Sequence, residues 1–365
     1  MIQEPQLTID LKSLAHNYNC LRSKLKKETD LIAVVKANAY GSDSGRIAQE
    51  LSKLGVNHFA VAYTVEGVIL RKAGITDSVF VFYPQIGQLE HIIENKLEPV
   101  LYSLEIVDAF VSLLKQKNLK SYPVHIKCNT GLNRIGFSHR DLLSFFKETE
   151  NHSYLDIKSV YSHLGASENP KPCTFTQQQI DAFEIEKKTV KEWCSNLPKF
   201  HLLNSSGVFN YPEHQMDAVR TGIALYGFAN RPEWDKELRP IAKLSAPLCQ
   251  IHNLKKGESV GYNQGWIAPK DSRIGVIPLG HADGIGRHYG NGVGKVQILG
   301  QSASIIGNVC MDMLMVDLDS IACSVGTEVI LFDENTTAAD FSALNNTISY
   351  EILTGLNPRI KRVYQ

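Results

Sequence analysis

The stretch LIAVVK at residues 31–36 is a short run of β-forming residues that ends in a lysine, and it opens the region that decides the fold. Similar runs follow at residues 58–63, 78–83, 98–103, 123–128, 157–164, 200–205 and 217–222. Between most of them apolar residues recur at helical spacing, as Ile47, Leu51 and Leu54 do. About eight alternations of strand and helix predict an α/β fold, a (β/α)8 TIM-type barrel.

A doubly wound open sheet is the alternative arrangement of alternating strands and helices. Such a sheet usually has fewer strands, and a glycine-rich turn is expected after its first strand. Here the first run continues as Lys36-Ala37-Asn38-Ala39-Tyr40-Gly41, which is not a turn of that kind. The sequence therefore favours the barrel, which we place at residues 11–230.

The character of the sequence changes after Arg231. Gly, Val and Ile are frequent between residues 240 and 364, and turn pairs such as Lys256-Gly257 and Asn291-Gly292 recur. Helical periodicity is lost until about residue 338. This pattern predicts a C-terminal, mostly-β domain at residues 231–365, and we expect an N-terminal strand within residues 1–10 to join it.

Composition excludes several classes of function. The 365 residues contain 38 Lys+Arg and 38 Asp+Glu, so no excess of positive charge favours nucleic acid as a partner. No apolar stretch approaches the roughly 20 residues that cross a bilayer, and the N-terminus has no signal-peptide pattern. The seven cysteines form no CxxC pair, so we expect reduced thiols in a cytoplasmic protein without a metal site.

Polar residues stand where the predicted barrel strands end, which is where active sites of such barrels lie. These residues are Lys36, Tyr63, Tyr83, Tyr102, Lys127, His163, Asn204 and Arg220. A lysine in a partly apolar barrel mouth reaches its neutral, nucleophilic form more easily, as a Schiff-base lysine must. The alternative for Lys36 is a side chain that extends to solvent from a strand end.

The seventh and eighth strand exits read Asn204-Ser205-Ser206-Gly207 and Arg220-Thr221-Gly222-Ile223. Barrels commonly hold a phosphate group in these two loops through backbone N–H groups and hydroxyls. Either loop alone is also compatible with ordinary turn chemistry. Together, and opposite a lysine, they indicate a phosphorylated carbonyl cofactor, of which pyridoxal 5'-phosphate is the familiar example.

These segments resemble bacterial alanine racemases, which are pyridoxal-phosphate enzymes of fold type III. The resemblance rests on residues 33–41 (AVVKANAYG), 125–127 (HIK), 130–131, Arg134, Gly136, 162–163 (SH), His201, 204–205 (NS), 219–227 (VRTGIALYG), 260–262 (VGY), 280–284 (GHADG), 309–312 (VCMD) and 358–360 (PRI). It runs in order over essentially the whole chain.

The resemblance implies a role for each matching residue. Lys36 binds the cofactor covalently and carries a proton on one face of the substrate, and Tyr262 of the partner subunit is the base on the opposite face. Arg220 faces the pyridine nitrogen and His163 supports it. The full cofactor-binding set is Lys36, Tyr40, His163, Asn204, Ser205, Arg220, Gly222, Ile223 and Tyr350.

The resemblance also implies the substrate side of the site. Arg134 steadies the substrate carboxylate, Lys127 matches a lysine that is carbamylated in some members, and Met311 and Asp312 come from the partner subunit. Two positions depart from the family pattern: Asn129 replaces a common aspartate beside Lys127, and His281 replaces the tyrosine that gates substrate access.

The implied function is interconversion of L-alanine and D-alanine by two bases, which supplies D-alanine for peptidoglycan. It requires a head-to-tail homodimer with shared active sites. A broad-specificity or serine-preferring racemase is an alternative with the same motifs. A non-enzymatic pyridoxal-phosphate carrier is a second alternative, although single-barrel carriers lack the second domain. Arg359 is expected to form a structural ion pair.

Overall fold

Eight parallel strands of the computed structural model, which describes residues 3–148, 153–194 and 196–365, close into a barrel. They are β2 (Asp30–Val34), β3 (His58–Val61), β4 (Ser78–Val81), β5 (Glu98–Leu101), β6 (Tyr122–Lys127), β7 (Leu155–Tyr161), β8 (Lys199–His201) and β9 (Ala218–Thr221). The ring closes because β2 pairs with both β3 and β9. Each strand falls on one of the predicted runs, and the predicted barrel with a mostly-β C-terminal domain is confirmed.

Helices follow most of the strands and mostly cover the outside of the barrel, whereas the short segment α2 lies at the cavity. Their bounds are α1 (Leu11–Ser23), α2 (Lys36–Tyr40), α3 (Ser44–Lys53), α4 (Thr64–Lys72), α5 (Leu89–Glu94), α6 (Leu104–Gln116), α7 (His139–Lys147), α8 (Thr174–Trp193), α9 (Ser205–Asn210) and α10 (Pro232–Asp235). In α6 the hydroxyl of Ser103 caps the first turn by accepting from the Ile106 N–H. Val107, Phe110 and Leu114 of α6 are buried against the barrel, as their helical spacing predicts.

A nine-stranded sheet forms most of the remainder, in the order β11-β14-β17-β16-β15-β18-β10-β1-β19. Its strands are β1 (Gln6–Ile9), β10 (Ala242–Pro247), β11 (Gln250–Leu254), β14 (Ser272–Ile277), β15 (Lys295–Ile298), β16 (Gln301–Ile306), β17 (Leu314–Asp317), β18 (Glu328–Phe332) and β19 (Lys361–Tyr364), with β12 (Ser259–Val260) and β13 (Trp266–Ile267) as a separate pair. Two helices, α11 (Ala338–Ala343) and α12 (Ser349–Gly355), precede β19. The N-terminal strand β1 thus pairs inside this sheet, antiparallel to β10 and parallel to β19.

One large apolar core extends from the barrel into the sheet, because buried residues of both regions belong to the same contact cluster. A small second cluster of Val260, Ile274, Ile306 and Met315 lies beneath β12 and β13. In the described part of the chain, no helix combines the length and apolar character that crossing a membrane requires.

The β19 strand also supports the barrel mouth. The Arg362 guanidinium donates to the Gly41 carbonyl at 3.0 Å, and the Tyr364 hydroxyl donates to Asp43 at 3.0 Å. Gly41 has a φ of +82°, and a Cβ there would lie 2.2 Å from the Leu353 carbonyl oxygen. Only glycine fits both the conformation and the space, so the turn after Lys36 rests directly on the C-terminal region.

Candidate active site

A cavity of about 700 Å³ opens at the carboxyl ends of the barrel strands. All nine residues predicted to hold the cofactor line it, and they are joined by two more predicted residues: Lys36, Tyr40, His163, Asn204, Ser205, Arg220, Gly222, Ile223 and Tyr350, with Lys127 and Arg134. The volume suits a small-molecule ligand of cofactor size. The barrel and the C-terminal region together therefore bring Lys36 and Tyr350, which lie 314 positions apart in the sequence, to one cavity.

The cavity wall is rich in positive charge. Lys36, Lys127, Arg134 and Arg220 line it, and none of its described lining residues is an aspartate or glutamate. Cations without carboxylate partners raise the local potential and attract anions. The arrangement favours a ligand with phosphate or carboxylate groups.

Lys36 lies just after β2 and is half-buried in the cavity wall. Burial lowers the pKa of its amine, the nearby Arg134 lowers it further, and Glu66 opposes both effects. A lowered pKa gives a larger neutral fraction near neutral pH, which a nucleophilic amine or a general base needs.

The backbone after Lys36 is unusual, because Ala37, Asn38, Ala39 and Tyr40 all have φ between 51° and 53°. Left-handed backbone costs non-glycine residues about 1–2 kcal/mol each, so the surroundings must hold it. Glu66 accepts from the Ala37 N–H at 2.6 Å, and the Asn38 side-chain oxygen accepts from the Ser44 N–H at 3.1 Å. The turn lets both Lys36 and Tyr40 face the cavity.

Arg220, at the end of β9, is held by hydrogen bonds on two guanidinium nitrogens. Nη2 donates to the carbonyls of Ser162 and Leu202 at 2.6 and 3.0 Å and lies 3.3 Å from His163 Nδ1. Nη1 lies 2.6 Å from His201 Nδ1. Burial lowers the pKa of the guanidinium to about 10, so Arg220 remains a cation at neutral pH. The same burial, with the Arg220 charge, lowers the pKa of His163 well below its usual value.

Lys127 ends β6 and is buried beside Arg220. Its ammonium donates to the Cys128 carbonyl at 2.6 Å and lies 5.6 Å from the centre of the Tyr161 ring. Burial lowers the pKa of this amine to about 7. The lowered pKa gives the Lys127 amine a larger neutral, nucleophilic fraction near neutral pH than an exposed lysine has.

Arg134 lies in a loop that Asn129 organises. The Asn129 side-chain oxygen accepts from the N–H groups of Gly131 and Asn133, and its amide nitrogen donates to the Asn133 side chain at 2.9 Å. An aspartate has no amide donor, so it would lack the bond to the Asn133 oxygen. The departure from the family pattern thus replaces a charge with one more loop contact.

The part of the cavity wall around Ser205 and Gly222 is formed by backbone and hydroxyl groups. The Ser205 hydroxyl accepts from the N–H groups of Gly222 and Ala224 at 3.1 and 3.3 Å. A Cβ at Gly222 would lie 2.3 Å from the Tyr40 hydroxyl oxygen, so only glycine lets the Tyr40 hydroxyl approach the backbone this closely. The Tyr350 hydroxyl accepts from the Asn230 amide at 3.1 Å. The hydroxyl groups of Tyr40, Ser205 and Tyr350 line this cavity, and hydroxyl donors suit a phosphate group.

Asn204 has a second task in the local fold. Its side-chain oxygen caps α9 by accepting from the Gly207 N–H at 2.9 Å, and it also accepts from the Ser167 hydroxyl at 2.7 Å. The predicted cofactor contact of Asn204 therefore competes with a structural one.

Four predicted site residues lie outside the cavity, on the surface of the C-terminal region. Tyr262 is 68% exposed and Met311 is 59% exposed. The His281 N–H donates to the Cys310 carbonyl at 2.9 Å, beside Met311. Asp312 is paired with Arg359 at 2.7 Å, and Arg359 also binds Asp283, so the structural ion pair expected for Arg359 is confirmed.

Sequence reasoning missed Tyr161, an aromatic wall residue in contact with Arg220, and misplaced Tyr102. Tyr161 of β7 lines the cavity with its ring 4.7 Å from the Arg220 guanidinium. Its position two residues before His163, on the same strand face, is the signal that could have found it. Tyr102 directly follows β5, but its hydroxyl donates to the Pro84 carbonyl at 3.0 Å and it is not among the cavity-lining residues.

The sequence matches two family models of known proteins. Residues 9–230 match the N-terminal domain of alanine racemase, and residues 241–364 match its C-terminal domain. The alanine racemase of Treponema denticola is 31% identical, over 98% of this chain and 97% of its own length. The alanine racemase of a Nostoc species is 33% identical, over 99% and 96%.

Solved structures share the fold over its full length. The alanine racemase of Bartonella henselae with covalently bound pyridoxal phosphate superposes with a TM-score of 0.89 at 29% identity, and the match covers 99% of each chain. The Bacillus anthracis alanine racemase with bound L-Ala-P superposes with a TM-score of 0.93 at 26% identity, over 100% of this chain and 96% of the other.

Proposed function

The chain belongs to the alanine racemase family, and on that premise we propose that it interconverts L-alanine and D-alanine with pyridoxal 5'-phosphate as its cofactor. The observation that carries the proposal is the cationic cavity: Lys36 and Arg220 line it together with the predicted phosphate-binding residues Ser205 and Gly222. The carrier alternative does not account for a matched C-terminal domain.

The cavity residues fit this cofactor. Tyr40, Ser205 and Gly222 would hold the phosphate from the cavity wall, and Lys36, which lines the same cavity, would supply the amine for the aldehyde. When bound, the cofactor supplies an electron sink that acidifies the substrate α-carbon proton. Arg220 would place a permanent positive charge beside the pyridine nitrogen of the cofactor, and this charge would disfavour protonation of that nitrogen.

Lys36 is one of the two proton carriers that racemisation needs. A proton must leave one face of a planar carbon and return to the other, so two groups on opposite faces are required. The lowered pKa of Lys36 suits it to accept and return a proton near neutral pH.

The second carrier is the partner subunit's Tyr262. Tyr262 of the same chain points into solvent rather than into its own cavity, and Met311 and Met313 nearby are exposed as well. Exposed apolar side chains of this kind favour a contact with another chain. We infer a head-to-tail homodimer in which each subunit completes the other's site with Tyr262, Met311 and Asp312, and in which His281 stands at the access path.

Arg134 and Lys127 serve the substrate side. Arg134 lines the cavity and can pair with the substrate carboxylate, and carbamylation of Lys127 would convert a neighbouring cation into an anion that orients Arg134.

Carbamylation of Lys127 is expected to follow the pKa of its amine. Only a neutral amine adds carbon dioxide, and Lys127 becomes mostly neutral above pH 7 because burial lowers its pKa to about 7. With ¹³C-bicarbonate, a carbamate signal should appear by ¹³C NMR above pH 7 and fade as the pH falls below it. The Lys127→Gln variant is the control. An equal signal in that variant, or none in the wild type, would contradict the assignment.

The decisive experiment on function combines spectroscopy with an assay. Purified protein should show the absorbance of a lysine-bound cofactor, and borohydride reduction followed by peptide mapping should place the adduct on Lys36. D-Alanine formation from L-alanine is then compared with D-serine formation from L-serine, which separates an alanine racemase from a serine-preferring one. An adduct on another lysine, or no racemisation of either amino acid, would refute the proposal.

We also propose that the product serves peptidoglycan synthesis in the cytoplasm, on the basis of the family alone. A bacterial D-alanine auxotroph that expresses this chain is expected to grow on plates without D-alanine.

A further inference from the structure

A line of buried hydrogen bonds crosses the barrel from the active-site cavity to the opposite end. It starts at Arg220 Nη1, which lies 2.6 Å from His201 Nδ1. His201 Nε2 lies 2.9 Å from the Ser159 hydroxyl, which lies 2.7 Å from His125 Nδ1. His125 Nε2 then lies 2.8 Å from a Glu98 carboxylate oxygen. The first four side chains are at most 3% exposed and that of Glu98 is 16% exposed.

The chemistry of the two ends fixes every proton along this line. An arginine can only donate, so His201 Nδ1 must accept, and the ring proton of a neutral His201 must sit on Nε2. Nε2–H then donates to the Ser159 oxygen, and the single Ser159 hydroxyl proton donates to His125 Nδ1. His125 Nε2–H finally donates to Glu98, whose ionised carboxylate can only accept. Both ends dictate the same direction.

The surroundings keep both rings neutral and in place. Burial lowers the pKa of His125 even though Glu98 opposes this, and burial with the Arg220 charge lowers the pKa of His201 well below its usual value. The Phe80 ring stacks on His125 at 3.6 Å, and Tyr161 stacks on His201 at 4.7 Å.

The end of the line at Glu98 opens into a separate cavity of about 180 Å³ at the amino ends of the strands. Asp30, His58, Lys158 and Lys199 line it beside Glu98, so charged groups of both signs face the end of the line.

We propose that Glu98, His125 and Ser159 are positioning residues for Arg220, which act by locking His201 in its Nε2-protonated tautomer. In the other tautomer, His201 Nδ1–H would face an Arg220 N–H at 2.6 Å, and two donors at that distance repel. The guanidinium would then shift within the cavity wall. The tautomer assignment stands on the contacts alone, whereas its consequence for the cofactor rests on the proposed function.

The test compares removal of one buried hydroxyl inside the line with removal of another outside it. Ser159→Ala breaks the line, whereas Ser245→Ala removes an equally buried hydroxyl that has no hydrogen-bond partner and lies in β10. ¹⁵N-histidine NMR of the full-length protein reports which nitrogen of His201 carries the proton, with its signal assigned from a His201→Gln variant. We expect Nε2–H alone in the wild type and in Ser245→Ala. In Ser159→Ala we expect a mixture of tautomers, because the buried His201 Nε2–H then lacks its acceptor and only the Arg220 contact still favours this tautomer.

Activity and the cofactor spectrum supply the second readout. Ser159→Ala should lower kcat for alanine about three- to tenfold with little change in KM, and should shift the absorbance of the bound cofactor. Ser159→Thr retains the hydroxyl and should restore the wild-type tautomer and spectrum. If Ser159→Ala does not fold, Glu98→Leu removes the acceptor at the partly exposed end, while Glu98→Gln keeps an acceptor oxygen as its control.

Each outcome decides the proposal. A His201 tautomer that stays on Nε2 in both Ser159→Ala and Glu98→Leu overturns it, as does an equal change in Ser245→Ala. A tautomer shift that leaves kcat and spectrum unchanged overturns the positioning role. If the wild type itself binds no chromophore while the tautomer still responds to Ser159→Ala, the proposed function fails and the hydrogen-bond line stands.

Discussion

Replacement of Lys36 by alanine is expected to lower kcat for alanine racemisation by roughly a thousandfold or more, because one side chain supplies both the covalent attachment and one proton carrier. The lowered pKa and half-buried position of Lys36 underlie this expectation. Initial rates in both directions measure the effect, and the absorbance of the bound cofactor should change to that of the free aldehyde.

The matched control is Lys188→Ala, which removes an exposed lysine from α8. It should leave rates and absorbance unchanged. Lys36→Ala should keep the far-UV circular dichroism of the wild type, since the lost amine is not part of the core. Retention of more than about a tenth of the activity in Lys36→Ala would show that another group carries the chemistry.

Mixing two inactive variants is expected to restore activity if each site is shared between subunits. Lys36→Ala dimers lack the amine in both sites, and Tyr262→Phe dimers lack the phenol in both sites, where a loss of about a hundredfold or more is expected. A mixed dimer places both defects in one site and leaves the other intact. Random exchange of equal amounts makes about half of the dimers mixed, so about a quarter of the wild-type activity should return.

The exchange experiment separates a shared site from a site within one chain. If Tyr262 acted within its own chain, every subunit would carry a defect and mixing would restore nothing. Its 68% exposure and absence from the lining of its own cavity argue for sharing. As a control, each variant is carried through the same exchange procedure by itself and should stay inactive. A mixture no more active than these controls, despite exchange seen by native mass spectrometry, would reject the shared arrangement.

The barrel could be predicted because its signal is local. A buried parallel strand shows as a short apolar run, and the eight runs ending at Lys36, Tyr63 and their equivalents each overlap one observed strand. The ends of the strands differ from the ends of the predicted runs: β2 stops at Val34, before the run ends at Lys36, and β8 spans only Lys199–His201. The path that brings Tyr350 to the cavity from α12 depended on the family resemblance, since no local pattern places that helix over the barrel mouth.

The details of the site depend on contacts that lie far apart in the sequence. The left-handed backbone at Ala37–Tyr40 is imposed by Glu66 and by the close approach of Leu353 to Gly41, and its alanines carry no sign of it. The pKa of Lys127 depends on its burial beside Arg220 and Arg134. The line from Arg220 to Glu98 joins five strands, so residue spacing could not indicate it.

The position of β1 between β10 and β19 affects how the protein is made. β1 leaves the ribosome early, but its parallel partner β19, in which Lys361 pairs with Gln6, lies at the end of the chain. β1 can therefore pair with β19 only after nearly the whole chain has been translated. Arg362, which braces the Gly41 turn behind Lys36, arrives equally late. A nascent chain can thus close its barrel while its catalytic turn is still unbraced, and a prematurely terminated polypeptide that stops short of β19 would carry every barrel residue of the site without the support that sets it.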